Sequence, residues 1–140
     1  MDTNLGETAA EDDAIKAVPD FLVRLAKAIR DLDDLVRLLG QSLSRTKPWQ
    51  RQLAGHLSEL ERLLQILRMT VVISRTTAEI LDAAGVLCVA CRTTVTTTAG
   101  SRCDRETSVA VHLVSDLANG IRDQLQRMDS AQVELLRLAL

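Results

Sequence analysis

Cys88 and Cys91 are the residues whose types and spacing come nearest to chemistry. Two thiols three residues apart on a helix share a face, and thiolates are strong ligands for zinc. A turn centred on Gly100 would fold the following segment back antiparallel, setting His112 opposite Cys88 and Asp116 one turn further along the same face. Cys88, Cys91, His112 and Asp116 would then supply two sulfurs, an imidazole and a carboxylate to a tetrahedral zinc ion. Cys103 would fall about 9 Å along the axis from Cys91, too far to join the set. Buried cysteines more commonly serve as small apolar side chains, and the expectation here is that use, with no metal and no cofactor. A redox role lacks its usual setting, since a reactive CxxC draws its low pKa from a helix N-terminus and this one lies inside a helix.

The stretch AGHLSELERLL around His56 resembles the phosphoacceptor helix of histidine phosphotransfer domains. That likeness implies a four-helix bundle with an imidazole open to a response regulator. The Lys and Gly that keep the ring accessible in that family correspond here to Glu59 and Leu60. A second stretch, Ile29-x-x-Leu32-Asp33-x-x-Val36-x-Leu38-Leu39, resembles the first helix of the small helical chorismate mutases. It implies a site in which several cations face a dicarboxylate. The basic residue expected one turn before Ile29 is Ala26, and no Arg follows Leu39 at the family's spacing, Ser42 standing closest. Asp31, Asp33 and Asp34 point in directions about 100° apart and cannot converge on one divalent ion, so they predict a solvated face. Nucleophile elbow, phosphate loop, HExxH and glycine fingerprint are all missing. The chain is expected to lack catalytic activity, with a small helical enzyme or a phosphotransfer-like signalling domain as the alternative.

The composition points to scaffold rather than catalyst. Of 140 residues, 46% are hydrophobic, yet Phe21 and Trp49 are the only aromatic ones and Tyr is absent. The core must be built from Leu, Val, Ile and Ala, which is helix-bundle material. Scarce rings argue against base stacking, and a net charge of -2 argues against direct nucleic-acid binding. Residues 1–13 hold Asp2, Glu7, Glu11, Asp12 and Asp13 with no base, so they are expected to form a disordered acidic tail ahead of one domain over 14–140. Such a tail could alternatively fold back on Arg51, Arg62 and Arg68. Three cysteines without an apolar leader favour a reducing, cytoplasmic setting. Arg75, Glu79, Asp82 and Arg92 interrupt the most apolar region, so no stable membrane insertion is expected.

The apolar spacing supplies the elements that would position these residues. Ile15, Val18, Leu22, Leu25, Ile29, Leu32, Val36, Leu39 and Leu43 alternate steps of three and four, a heptad seam that Phe21, Ala28, Leu35 and Leu38 widen. Ser44 and Thr46 could cap a second helix that carries Pro48 early and repeats the seam with Leu53, Leu57, Leu60, Leu64, Leu67 and Val71. A new phase then runs Ile73, Thr77, Ile80, Ala84, Leu87, Cys91. The slip falls at TVVIS, ahead of a Thr76-x-x-Glu79 capping pattern, and marks either a break or a kink in one long helix. Ile80–Cys91, with Asp82 as its sole charge, has no polar face and is expected to be covered on every side. Gly100-Ser101 predicts a helix–helix turn, with a β-hairpin of Val86–Thr98 and Thr107–Val114 as the rival. A fourth helix carries Ala110, Val114, Leu117, Ile121, Leu125 and Met128, and Asp129-Ser130 caps a last one over Ala131–Leu140.

The expected fold is therefore all-α, an antiparallel helical bundle of four to five helices. The expected function is protein–protein interaction or assembly, in a regulatory or structural role, with a homodimer or a partner helical protein joined through surplus apolar positions. Leu35, Leu38, Val133, Leu135, Leu136, Leu138 and Leu140 are the candidates for that contact. A membrane-active bundle that releases Ile80–Cys91 as a hairpin helix is a further alternative.

Overall fold

The computed structural model describes residues 19–74 and 76–140, so the acidic tail, Ile15, Val18 and Arg75 lie outside the described residues. The helices are α1 (Asp20–Ser42), α2 (Pro48–Ile73), α3 (Thr77–Ala99), α4 (Arg105–Gln126) and α5 (Ser130–Ala139). Among the described residues there is no strand, and the β-hairpin alternative gives way to helix throughout Val86–Thr98. Helices α1 to α4 form an antiparallel ring in which α2 packs on α1 and α3, and α4 on α3 and α1; α5 lies against α1 and α2.

The heptad seams do what their spacing requires. Leu22, Leu25, Ile29, Leu32 and Val36 from α1 meet Leu57, Leu60, Leu64, Leu67 and Val71 from α2, all fully or almost fully buried in one core. Burying each Leu-sized side chain is worth ~1.5–3 kcal/mol, which outweighs local propensity wherever the two conflict. The conflict is plainest at the end of α3, where Thr93 to Thr98 are weak helix formers. Thr94 and Thr98 are nevertheless buried, and their hydroxyls donate to the carbonyls of Ala90 and Thr94 one turn back, at 2.8 and 2.7 Å.

The break after α2 is complete. Ser74 has extended backbone, its N–H closes α2 on the Thr70 carbonyl, and its buried hydroxyl donates to Glu79 at 2.6 Å. The Thr76 side chain makes no capping bond, so Glu79 is held by Ser74 rather than in the expected capping box. The other caps depart from expectation in similar detail. Gln50 accepts from the backbone N–H of Thr46 and Lys47, so Lys47 rather than Ser44 or Thr46 stands at the N-cap of α2. Asp104, beyond the Gly100-Ser101 turn, caps α4, accepting from the Thr107 N–H and hydroxyl. Asp129 caps α5 as the sequence predicts, and Gln132 closes a reciprocal capping box with it.

Helix α5 docks on its own chain. Leu136 is wholly buried and Val133 almost so, while Leu135, Ala139 and Leu140 pack against the core. Arg137 fixes the dock by donating from Nε to the Val71 carbonyl, one of the unpaired carbonyls at the end of α2, at 2.6 Å. Arg30 donates in turn to the Ala139 carbonyl at 3.0 Å. Leu136→Ala is therefore expected to cost about 2–5 kcal/mol in urea unfolding, while Leu138→Ala, at an exposed position, stays within about 0.5 kcal/mol of the parent. Equal effects of the two would contradict this docking.

Candidate functional site

The structure separates the residues that the zinc reading needs together. Helix α3 runs to Ala99 and α4 starts at Arg105, so the turn is centred nearer Arg102 than Gly100. Cys88 consequently lies beside Ala118, its thiol donating to that carbonyl at 3.4 Å. His112 is displaced by about six residues, or about 9 Å, along the axis. It sits on the outer face of α4, exposed, with Nδ1–H donating to the Ser108 carbonyl at 2.8 Å. Asp116 lines the same open surface dip, with Cys103 and Arg105 at its edge, while Cys88 and Cys91 face the core. Among the described residues no group of three His, Cys, Asp or Glu side chains could hold a metal ion.

The thiols are tuned away from reactivity. Burial pushes the Cys91 thiol up to about 12, with the neighbouring Cys88 adding to the rise. Burial also raises Cys88, against the opposing pull of Arg122 and Arg92. Cys103, half-buried, is raised by its burial and by Asp104. A thiol that stays protonated is a poor nucleophile and a poor metal ligand.

The other candidates resolve into structural roles. His56 is half-buried against the end of α3, lining a gap of about 10 Å³ with Trp49, Gln52, Thr97, Thr98 and Ser101. That leaves barely room for one water between the ring and the end of α3. Glu59, in the place of the expected Lys, is bound to Arg62 through Nε at 3.0 Å, and that hydrogen bond holds its carboxyl below the usual range. In the chorismate-mutase-like stretch, Ile29, Leu32 and Val36 are core. Asp33 is buried and accepts from Arg37 at 2.8 Å and Arg68 at 3.3 Å, an ion pair that ties α1 to α2. Asp31 pairs with Lys27 and points elsewhere. Arg51, Arg62 and Arg68, the sequence's candidate anchors for the acidic tail, are engaged by the Arg45 and Thr46 carbonyls, by Glu59 and by Asp33.

The feature left over is apolar and exposed. Helix α3 is not covered on every side: Val86 and Val89 stand in solvent, 55% and 57% exposed, because only α2 and α4 flank it. Beside them on α2, Ile66, Met69 and Ile73 form a stripe at steps of three and four on the side away from the leucine seam. A groove of about 510 Å³ runs along α3 past Leu81, Asp82, Gly85, Val86 and Val89 to Arg122 of α4. Helix α3 is also long and apolar enough to cross a bilayer by length and composition, with a mean hydropathy of 1.3 over a window of which one third is buried.

Of the residues that the sequence nominates for association, Val133 and Leu136 are consumed by the bundle, and Leu35, Leu135 and Leu140 pack against its core. Leu38 and Leu138 stay exposed. The stripe on α2 was missed from the sequence, where the second phase was traced from Ile73 onward, although the steps of three and four from Ile66 to Met69 and Ile73 carry its signal. Val86 and Val89 carried no such signal, since an all-apolar run does not disclose which side will be left bare. No family model, curated protein or solved structure matches this chain.

The thiol geometry has a direct readout. In the folded protein only Cys103 is expected to react readily with a maleimide, and all three cysteines after denaturation; labelling of Cys88 or Cys91 at the same rate would contradict their burial. The pH dependence has a definite sign. The unfolded Cys91 thiol ionises from its ordinary value of 9.0, whereas the folded one holds its proton to about 12. The stability this contributes is complete below about pH 9 and is lost as pH rises through that window. Cys91→Ala should flatten the alkaline fall in urea midpoint.

Proposed function

We propose that this chain is an interaction and assembly module: a helical bundle that associates with a second copy of itself, or with a helix of a partner protein, through the outer faces of α2 and α3. It carries out no chemistry of its own in this reading, and it serves a regulatory or structural role. The observation that carries the proposal is one group among the apolar side chains still bare once the core has closed, Ile66, Met69 and Ile73 on α2 with Val86 and Val89 on α3, which stand on adjacent helices; Val23, Leu38, Val72, Val109, Leu113 and Leu138 are exposed as well. Isolated exposed apolar residues are ordinary on any protein, but a run of them at helical spacing on adjacent helices is the pattern of a docking face.

Magnitudes favour self-association over capture of a single foreign helix. Covering a side chain that is already half-buried yields roughly half of the ~1.5–3 kcal/mol for full burial, so five of them supply on the order of 5 kcal/mol. Association costs ~4–15 kcal/mol in lost translational and rotational freedom. A twofold dimer uses every such residue twice and clears the lower part of that range. A lone partner helix must bring a comparable apolar face of its own. The three unpaired cysteines suit a reducing compartment, in keeping with a cytoplasmic site of action.

One observation favours a second reading, in which α3 leaves the bundle and enters a bilayer: its length and mean hydropathy, with two thirds of the apolar window unburied. That reading predicts dye release from liposomes, increasing at low pH. Intact vesicles under those conditions rule it out.

Sedimentation equilibrium of the full chain tests the main proposal. A concentration-dependent dimer is expected, weakened by Ile66→Asp or Val89→Asp while the urea midpoint changes little, since both positions are exposed. A strict monomer at several hundred micromolar would overturn self-association.

A further inference from the structure

Helix α5 is an addition to a bundle whose ring closes without it. Helices α1 to α4 each pack on two ring neighbours, while α5 rests on α1 and α2. It is 10 residues long and buries two side chains, Val133 and Leu136, where each ring helix buries five or more. A terminal helix with so few buried anchors is the part of the molecule that opens at the lowest free energy.

The slot it leaves on opening is already fitted to one occupant. It takes Val133 and Leu136 into the core, and two polar contacts fix the helix in place. The Val71 carbonyl accepts from Arg137 Nε at 2.6 Å, and the Arg30 guanidinium donates to the Ala139 carbonyl at 3.0 Å. The slot thus receives a helix with an aliphatic residue, a second one three positions on, an arginine directly after it, and unpaired carbonyls at its end. Every copy of this chain carries that segment.

The link between α4 and α5 has a second conformation within easy reach. Arg127 already has right-handed helical backbone, and Met128 falls three residues after Leu125, in step with the buried seam of α4. Asp129 turns the chain: its backbone is extended, its carboxylate accepts from the Gln132 N–H, and its own N–H donates to Gln132 Oε1. With Met128 and Asp129 helical, α4 runs on into α5 as one rod, and α5 is carried past the end of the bundle, away from its own slot.

We propose that α5 is exchangeable: it docks on α1 and α2 of a second copy in place of its own, in a dimer where α4 and α5 form one continuous helix. The second copy is the occupant because the slot is seen filled by this very segment, and the exchange refills both slots with the same contacts. Such a dimer leaves the outer faces of α2 and α3 uncovered, so it goes beyond the association described above and does not depend on it. The tethered α5 competes at an effective concentration on the order of millimolar, so exchange sets in at high protein concentration, after α5 has left its own slot.

Refolding the full chain from urea at several hundred micromolar, followed by sedimentation equilibrium, tests the exchange, with urea midpoints checking that each variant folds. Ser130→Pro is expected to raise the dimer dissociation constant about tenfold or more, because Pro suits the first position of α5 but breaks a helix that runs through the link. Asp129→Ala, which removes the cap and favours the rod, is expected to lower it about fivefold or more. Val89→Asp is expected to leave it unchanged. A dimer undiminished in Ser130→Pro would overturn the exchange, and its loss in Val89→Asp would then assign the contact to the outer faces. Monomers throughout, in the parent and in Asp129→Ala alike, would overturn the exchange as well. A dimer lost in Ser130→Pro and untouched by Val89→Asp would support the exchange and overturn the outer-face reading alone.

Discussion

Leu57, Leu60, Leu64, Leu67 and Val71 set one unbroken aliphatic ridge along α2, and the remaining helices are placed by the need to cover it. With no buried aromatic ring to fill space, that cover must come from many branched side chains interdigitating at helical spacing. Antiparallel neighbours with short connections provide it. The constraint reaches as far as α5, whose Leu136 and Val133 complete the core where α1 and α2 meet it, and whose Arg137 satisfies a carbonyl at the end of α2. Local irregularities follow the same demand. The threonine-rich end of α3 stays helical because Thr94 and Thr98 are needed against the core, and each hydroxyl is satisfied by the carbonyl one turn behind it.

Covering that ridge is also what leaves another face bare. Helix α5 lies on α1 and α2, so α3 receives its cover from its two ring neighbours. A segment apolar on all sides then shows Val86 and Val89 to solvent. The polar groups around this face are few, with Asp82 towards one end and Arg92 towards the other.

The same packing explains why the chemically suggestive residues do not converge. A site for catalysis or metal binding needs groups held within a few tenths of an ångström on facing elements. Here Cys88 and Cys91 are spent on the core, His112 on a carbonyl of its own helix, His56 on the close end of α3, and Asp33 on two arginines that clamp α1 to α2. Each is satisfied locally or by a structural partner. In the stretches that resemble phosphotransfer and chorismate-mutase helices, Ile29, Leu32 and Val36 are core, Asp33 bonds Arg37 and Arg68, and His56 lies against the end of α3.

Periodicity by itself determined the all-α class and most of the aliphatic core positions, because the three-and-four spacing of apolar residues favours one burial pattern on a 3.6-residue turn, while it left open whether α2 and α3 were one kinked helix and placed Ala110 and Leu117 in the α4 seam where Val111 and Ala118 are buried. The cap of α5 was legible for the same kind of reason, since Asp129 and Gln132 act within a few residues of one another. What lay beyond the sequence was everything set by contact between distant segments. The register of α4 on α3 depends on where the Gly100–Asp104 link places its turn, and it moved His112 away from Cys88. The fate of Leu136 and Val133 depended on whether α1 and α2 left a slot for α5. Which side of α3 stays bare depended on how many helices the chain had left to cover it, and a one-dimensional pattern holds no count of neighbours in space.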